Sequence, residues 1–161
     1  MGLQNETPKP TENPTEKMEI KLREALEKGL VSGSVKKALE EFYEWYDWRY
    51  VMPVTIVKEG DYITLYVYYD ITEELEVCEK ACVEHARKEL AEDEYSEEDI
   101  AGSCYDSCMD DIVRDINEDF GEIRRYLFKC LDRHGLKYDW EDSWDYNTRY
   151  LAVDIKNDIK N

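Results

Sequence analysis

The chain has no apolar run approaching the roughly 20 residues that a membrane-spanning helix needs, and its N-terminus lacks the basic and apolar regions of a secretory leader. A cytoplasmic protein is expected, with no membrane partner. Glu6 stands where a myristoylation signal beginning at Gly2 would require Ser or Thr. Basic residues are scarce: 21 Lys and Arg face 39 Asp and Glu, giving a net charge of -18 and a pI of about 4.5. Direct binding of nucleic acid, which needs a basic face to displace counterions from phosphates, is therefore not expected. A glycine-rich phosphate loop is missing, since Gly29 and Gly33 do not form one. The two histidines, His85 and His134, have no Ser or Cys partner in a hydrolase-like local signature. There is one glutamine and no glycine-rich loop, while Glu, Lys and Tyr abound. That balance suits heat, as in a hyperthermophilic archaeon or its virus, for which the compartment would be the host cytoplasm.

No internal repeat or linker divides the chain, so one α+β domain is expected over residues 15–161, preceded by a disordered tail at 1–14 carrying Pro8, Pro10 and Pro14. A first helix is predicted over 16–29, capped by Thr15, with Met18, Leu22, Ala25 and Leu26 on one face and Gly29 ending it. A second is predicted from Ser34 to about Trp48, its face built from Val35, Leu39, Phe42, Tyr43, Trp45 and Tyr46. The period then falls from about 3.6 to 2 over 54–58 and 62–70, which predicts a hairpin turning at Gly60. Ile63, Leu65, Val67 and Tyr69 take one face of its second strand and Tyr62, Thr64, Tyr66 and Tyr68 the other. The sheet should thus be covered by helices on one side and carry tyrosines on the other. Leu136–Trp140 and Thr148–Lys156 read as a second strand pair, joined by a polar segment from Glu141 to Asn147. The blocks of helices and strands predict an antiparallel sheet of about four strands, with N-terminal helices and a central helical hairpin at 72–134.

The hairpin carries all five cysteines. Leu75, Cys78, Cys82, Ala86 and Leu90 recur at spacings of three or four from a start at Thr72; Ile100, Cys104, Cys108, Ile112, Ile116 and Phe120 recur every four after a cap at Ser96. Both cysteine pairs thus lie on apolar stripes. In antiparallel helices, residues equidistant from the loop face each other, and the nested pairs Cys82/Cys104 and Cys78/Cys108 are both centred on Asp93. Two disulfides fit this symmetry, with Ala81, Ala101, Gly102, Ser103 and Ser107 leaving room for close approach. Reduced core cysteines are a second reading, and a four-thiolate metal site near His85 a third. Cys130 lies by the stripe of Ile123, Leu127 and Leu131 and reads as a buried thiol. The twin C-x-x-x-C arrangement resembles that of the small translocase chaperones of the mitochondrial intermembrane space. The resemblance spans Cys78 to Cys108 and implies a disulfide-stapled helical hairpin; the 21 residues between Cys82 and Cys104 exceed that family's separation, and the chaperone role is not carried over.

Between Thr72 and Asp119 stand 18 acidic and four basic residues, so this segment alone contributes -14. With cysteines and aliphatics on the inner stripe, the carboxylates must cover the outside. Glu89, Glu92, Asp93, Glu94, Glu97, Glu98 and Asp99 crowd the tip, and Asp106, Asp110, Asp111 and Asp115 follow along the second helix. A solvated coat is one reading. The other is a partner-binding ridge for a basic surface, as in an inhibitor that mimics nucleic acid. A catalytic alternative rests on Asp154-Ile155-Lys156, the acidic-x-Lys form of restriction-like nucleases, in which carboxylates hold a metal and Lys assists the attacking water. Asp139, Asp142 or Asp145 would supply the preceding carboxylate. A cysteine-based redox or metal module is the remaining class. The sequence favours binding over catalysis, without a cofactor, and leaves partner and oligomeric state open.

Overall fold

A computed structural model of the chain describes residues 19–89 and 97–156. The tail at 1–14, the Thr15 cap, Met18, Leu90, the tip residues Glu92, Asp93 and Glu94, and the Ser96 cap lie outside the described residues. The elements run β1 (Glu19–Lys21), α1 (Leu22–Glu27), α2 (Gly33–Tyr46), β2 (Val54–Glu59), β3 (Tyr62–Asp70), α3 (Thr72–Glu89), α4 (Glu97–Arg133), β4 (Tyr138–Asp145) and β5 (Thr148–Lys156). The strands form one antiparallel sheet in the order β1-β2-β3-β5-β4. The α+β class is as expected, with five strands in place of about four.

The extra strand replaces the start of the predicted first helix. Glu19-Ile20-Lys21 pairs with Val57-Ile56-Thr55, which lets Ile20 reach the core while Glu19 and Lys21 point to the other face. Only Leu22–Glu27 remains helical, and Leu22 and Ala25 are buried. Gly29, at φ 68°, closes this helix: the Leu30 amide donates back to the Ala25 carbonyl at 3.0 Å. The next helix begins earlier than predicted, with Ser32 at the N-cap in extended backbone and no side-chain capping bond. The aromatic face of α2 is largely core: Phe42 and Tyr46 are buried, and the Tyr46 hydroxyl donates to the Met52 carbonyl at 2.7 Å.

The β2–β3 hairpin has the predicted bounds to within one residue and turns at Gly60 (φ 59°). Ile63, Leu65 and Val67 on β3 and Leu151, Val153 and Ile155 on β5 are fully buried under α1, α2 and the C-terminal half of α4. Burial of each such side chain contributes about 1.5–3 kcal/mol. Their neighbours Tyr62, Thr64, Tyr66 and Tyr68 take the opposite face, which is half-buried or exposed. Tyr69, assigned to the core face by alternation, packs at the core's margin and donates a short hydrogen bond to Glu74.

The predicted polar loop at 141–147 is mostly strand. β4 extends to Asp145, and only Tyr146 and Asn147 make the turn, Tyr146 taking φ 55°. Acidic residues can continue the strand because Asp142, the one that alternation directs toward α4, meets two arginines there.

Candidate interaction surface

α3 and α4 pair along their length, but α3 packs on no other element to a comparable extent. By the usual rise α3 is roughly 27 Å long and α4 roughly 55 Å. The first fully buried residue of α4 is Phe120, and the core beneath the sheet includes no residue of α3. The N-terminal part of α4 and the whole of α3 therefore form an arm with its own small interior. On α3 that interior consists of Cys78, Cys82 and Ala86. So few buried groups cannot hold a helix pair together against chain entropy.

Disulfides supply what packing lacks. Cys78 is bonded to Cys108 with Cα atoms 6.0 Å apart, and Cys82 to Cys104 at 5.5 Å, as the shared midpoint predicts. All four sulfurs are thereby consumed, so the reduced-core and four-thiolate readings give way. His85 lies beside Cys104, Asp99, Ser103 and Ser107 on a shallow groove. In the chain-entropy account a bridge of this span contributes about 2–4 kcal/mol. The base of the arm is fixed by Asp70, which accepts bonds from the Thr72 amide (2.8 Å) and hydroxyl (2.6 Å), and these bonds hold its carboxyl below the usual range. Thr72 in turn accepts from the Asn147 side chain, and the Ile71 amide donates to the Asn147 carbonyl.

The predicted partner-binding carboxylates fall on more than one face. Asp99, Asp106 and Asp110 are exposed and stand seven and eleven residues apart, which puts them on one line along a 3.6-residue helix. Asp111 and Asp115 lie on another line and share Arg114 at 3.1 and 3.4 Å. Glu97 is turned toward α3, where Arg87 meets it at 3.5 Å, and Glu98 is exposed on a further face. Farther along, Asp119 is held above the ordinary carboxylate range, first by burial and then by Glu122, Asp115 and Glu118. The ridge is thus a dense negative field carried on two helices.

The nuclease carboxylates come together only in part. Asp154 and Lys156 share the open face of β5, but Asp145 pairs with Thr148, six residues away along the strand, or roughly 20 Å. Asp139 does stand opposite Asp154, whose carboxylate accepts from the Thr64 hydroxyl at 2.6 Å. Asp142 faces the other way and is occupied.

Asp142 belongs to a polar cluster that reading the sequence missed. Its carboxylate, 4% exposed, accepts from Arg124 at 2.7 Å and closely from Arg149, itself 9% exposed. Arg149 also donates to Asn117 Oδ1 at 2.7 Å and to the Ser143 and Tyr150 carbonyls, and its guanidinium lies 4.8 Å from the Phe120 ring centre. The Trp144 indole donates to the same Asn117 oxygen. Period-2 alternation carried back from Leu151 to Arg149, and along Trp140, Asp142 and Trp144, would have placed these side chains inside. Cys130 is the fifth cysteine, buried and unbridged, its thiol pushed up to about 11 by burial.

Compared with family models, with curated proteins and with solved structures, the chain matches none.

Proposed function

We propose that the protein works by binding, with the acidic hairpin docking into a basic surface of a partner protein, such as one that ordinarily holds nucleic acid. The observation that carries this reading is the arm itself: two helices with almost no apolar interior, stapled twice, and covered by carboxylates. Like charges on neighbouring turns repel by tenths of a kcal/mol per pair, and the bridges offset that cost. A rigid array of fixed charges loses little entropy on docking and speeds association with a surface of opposite sign.

The test is competition. A panel of basic DNA-binding proteins is loaded with a labelled duplex, and the protein is titrated in across a salt series. It should displace the duplex from at least one member, with an affinity that falls as salt rises. Glu98→Lys, Asp106→Lys and Asp110→Lys together should weaken displacement about tenfold or more. Displacement from no member of the panel, or unchanged affinity after the reversals, removes the reading.

A further inference from the structure

The open face of the sheet carries a shallow depression, distinct from the hairpin. Tyr66 and Tyr68 on β3 and Tyr150 on β5 line a shallow depression of about 540 Å³ there, with Glu19, Asp145 and Thr148 at its edges. Among the described residues, no Lys, Arg or His lines it. Among the described residues no helix covers this face, because α1, α2 and α4 pack on the other side.

The state of the rings is informative. On the helix side most large rings are partnered: Trp45 stacks on Tyr126 at 4.2 Å, Phe128 meets Tyr138 and Trp140, and arginines cover Trp48, Trp140 and Phe120. Among the described residues, Tyr66, Tyr68 and Tyr150 have no ring partner and no cation over them. Tyr150 is steered by its hydroxyl, which donates to Glu141 at 2.8 Å, and that bond is the main reason the phenol gives up its proton less readily than usual.

The protein already contains a complete version of the chemistry these groups offer. Arg124 lies 5.0 Å from the Trp140 ring centre while donating to the Asp142 carboxylate at 2.7 Å, so one guanidinium satisfies an aromatic face and an acid together. The open face repeats the aromatic and carboxylate half of that arrangement without the cation. We infer that this tyrosine depression receives an arginine or lysine side chain from an extended basic segment of a partner protein, with the phenol faces and the flanking Glu19 and Asp145 carboxylates as the receiving groups. Nucleic-acid bases could also stack on tyrosine, but the surrounding acid repels phosphate.

Isothermal titration with a synthetic peptide of alternating Arg and Thr, capped at both ends, tests this in low salt. Wild type should bind, and Tyr68→Leu with Tyr150→Leu should weaken binding at least tenfold while leaving the melting temperature within a few degrees. Tyr68→Phe with Tyr150→Phe, which keeps the rings, should stay within about threefold of wild type. If the leucine variant fails to fold, Glu19→Gln with Asp145→Asn takes its place, with weaker binding again expected. The Asp106→Lys, Asp110→Lys hairpin variant should bind the peptide as wild type does. Unchanged affinity in the leucine or amide variants overturns the inference, as does tighter binding of a single-stranded oligonucleotide than of the peptide. Loss confined to the hairpin variant would overturn it too, while leaving the hairpin as the docking surface.

Discussion

Asp142 shows what a single carboxylate can require of its surroundings. An acid on the helix-facing side of a strand is tolerated only when paired, and Arg149 and Arg124 reach it from β5 and α4. Removing one member of such a pair strands the other charge, at a cost of about 3–5 kcal/mol, whereas replacing both with apolar groups of similar shape is often neutral. Asp142→Ala should therefore lower the unfolding free energy in urea by about that amount, and Asp142→Leu with Arg149→Met should recover most of the loss. A single-mutant cost below about 1 kcal/mol would show that the cluster is incidental.

The hairpin is the element whose stability is least like that of the rest. Its helices meet across two disulfides, with only Cys78, Cys82 and Ala86 of α3 buried, so the bridges stand in for a core. Thiol counting checks this: the native protein should present no reactive thiol, because Cys130 is buried, the denatured but unreduced chain one, and the denatured and reduced chain five. After gentle reduction, amide exchange should quicken in α3 and the N-terminal part of α4 while the sheet stays protected. Five thiols without reduction would rule out the bridges; uniform exchange across the chain after reduction would rule out an independent arm.

At the scale of the whole molecule the dominant fact is charge. A net -18 on 161 residues repels itself, and most of it sits on the arm. Raising salt from 20 to 500 mM should lift the melting temperature by roughly several degrees through screening. Alkali should act in the opposite direction. Burial holds the Cys130 thiol at about 11 and, with the Asp132 bond, the Tyr138 phenol at about 12, both above their ordinary values. The unfolded chain loses these protons first, so the stability they represent is full below about pH 9 and lost as pH rises through 11 to 12. Thermal melts over that grid settle both points: a melting temperature that falls with salt, or one that is flat from pH 8.5 to 11, would refute them.

Much of this architecture was legible before any coordinates. The pairing of Cys78 with Cys108 and Cys82 with Cys104 follows from helical spacing, because equal distance from a loop is a property of the chain alone. The β2–β3 hairpin follows from period 2 and from Gly60, whose positive φ a side chain would resist. The face of β3 that stays open was also readable, as alternate tyrosines. Other features depended on neighbours distant in sequence. Three residues became β1 because Thr55, Ile56 and Val57 offered an edge to pair with, and Asp139, Glu141, Asp142 and Asp145 could stand in a strand because Arg124 and Arg149 came to meet the one acid turned inward. The sequence by itself determined local geometry: periods, turns and the symmetry of the cysteines. Only the tertiary structure decided which carboxylates were neutralised and which stayed exposed, because charge pairing and burial depend on what packs alongside, and spacing along the chain does not record that.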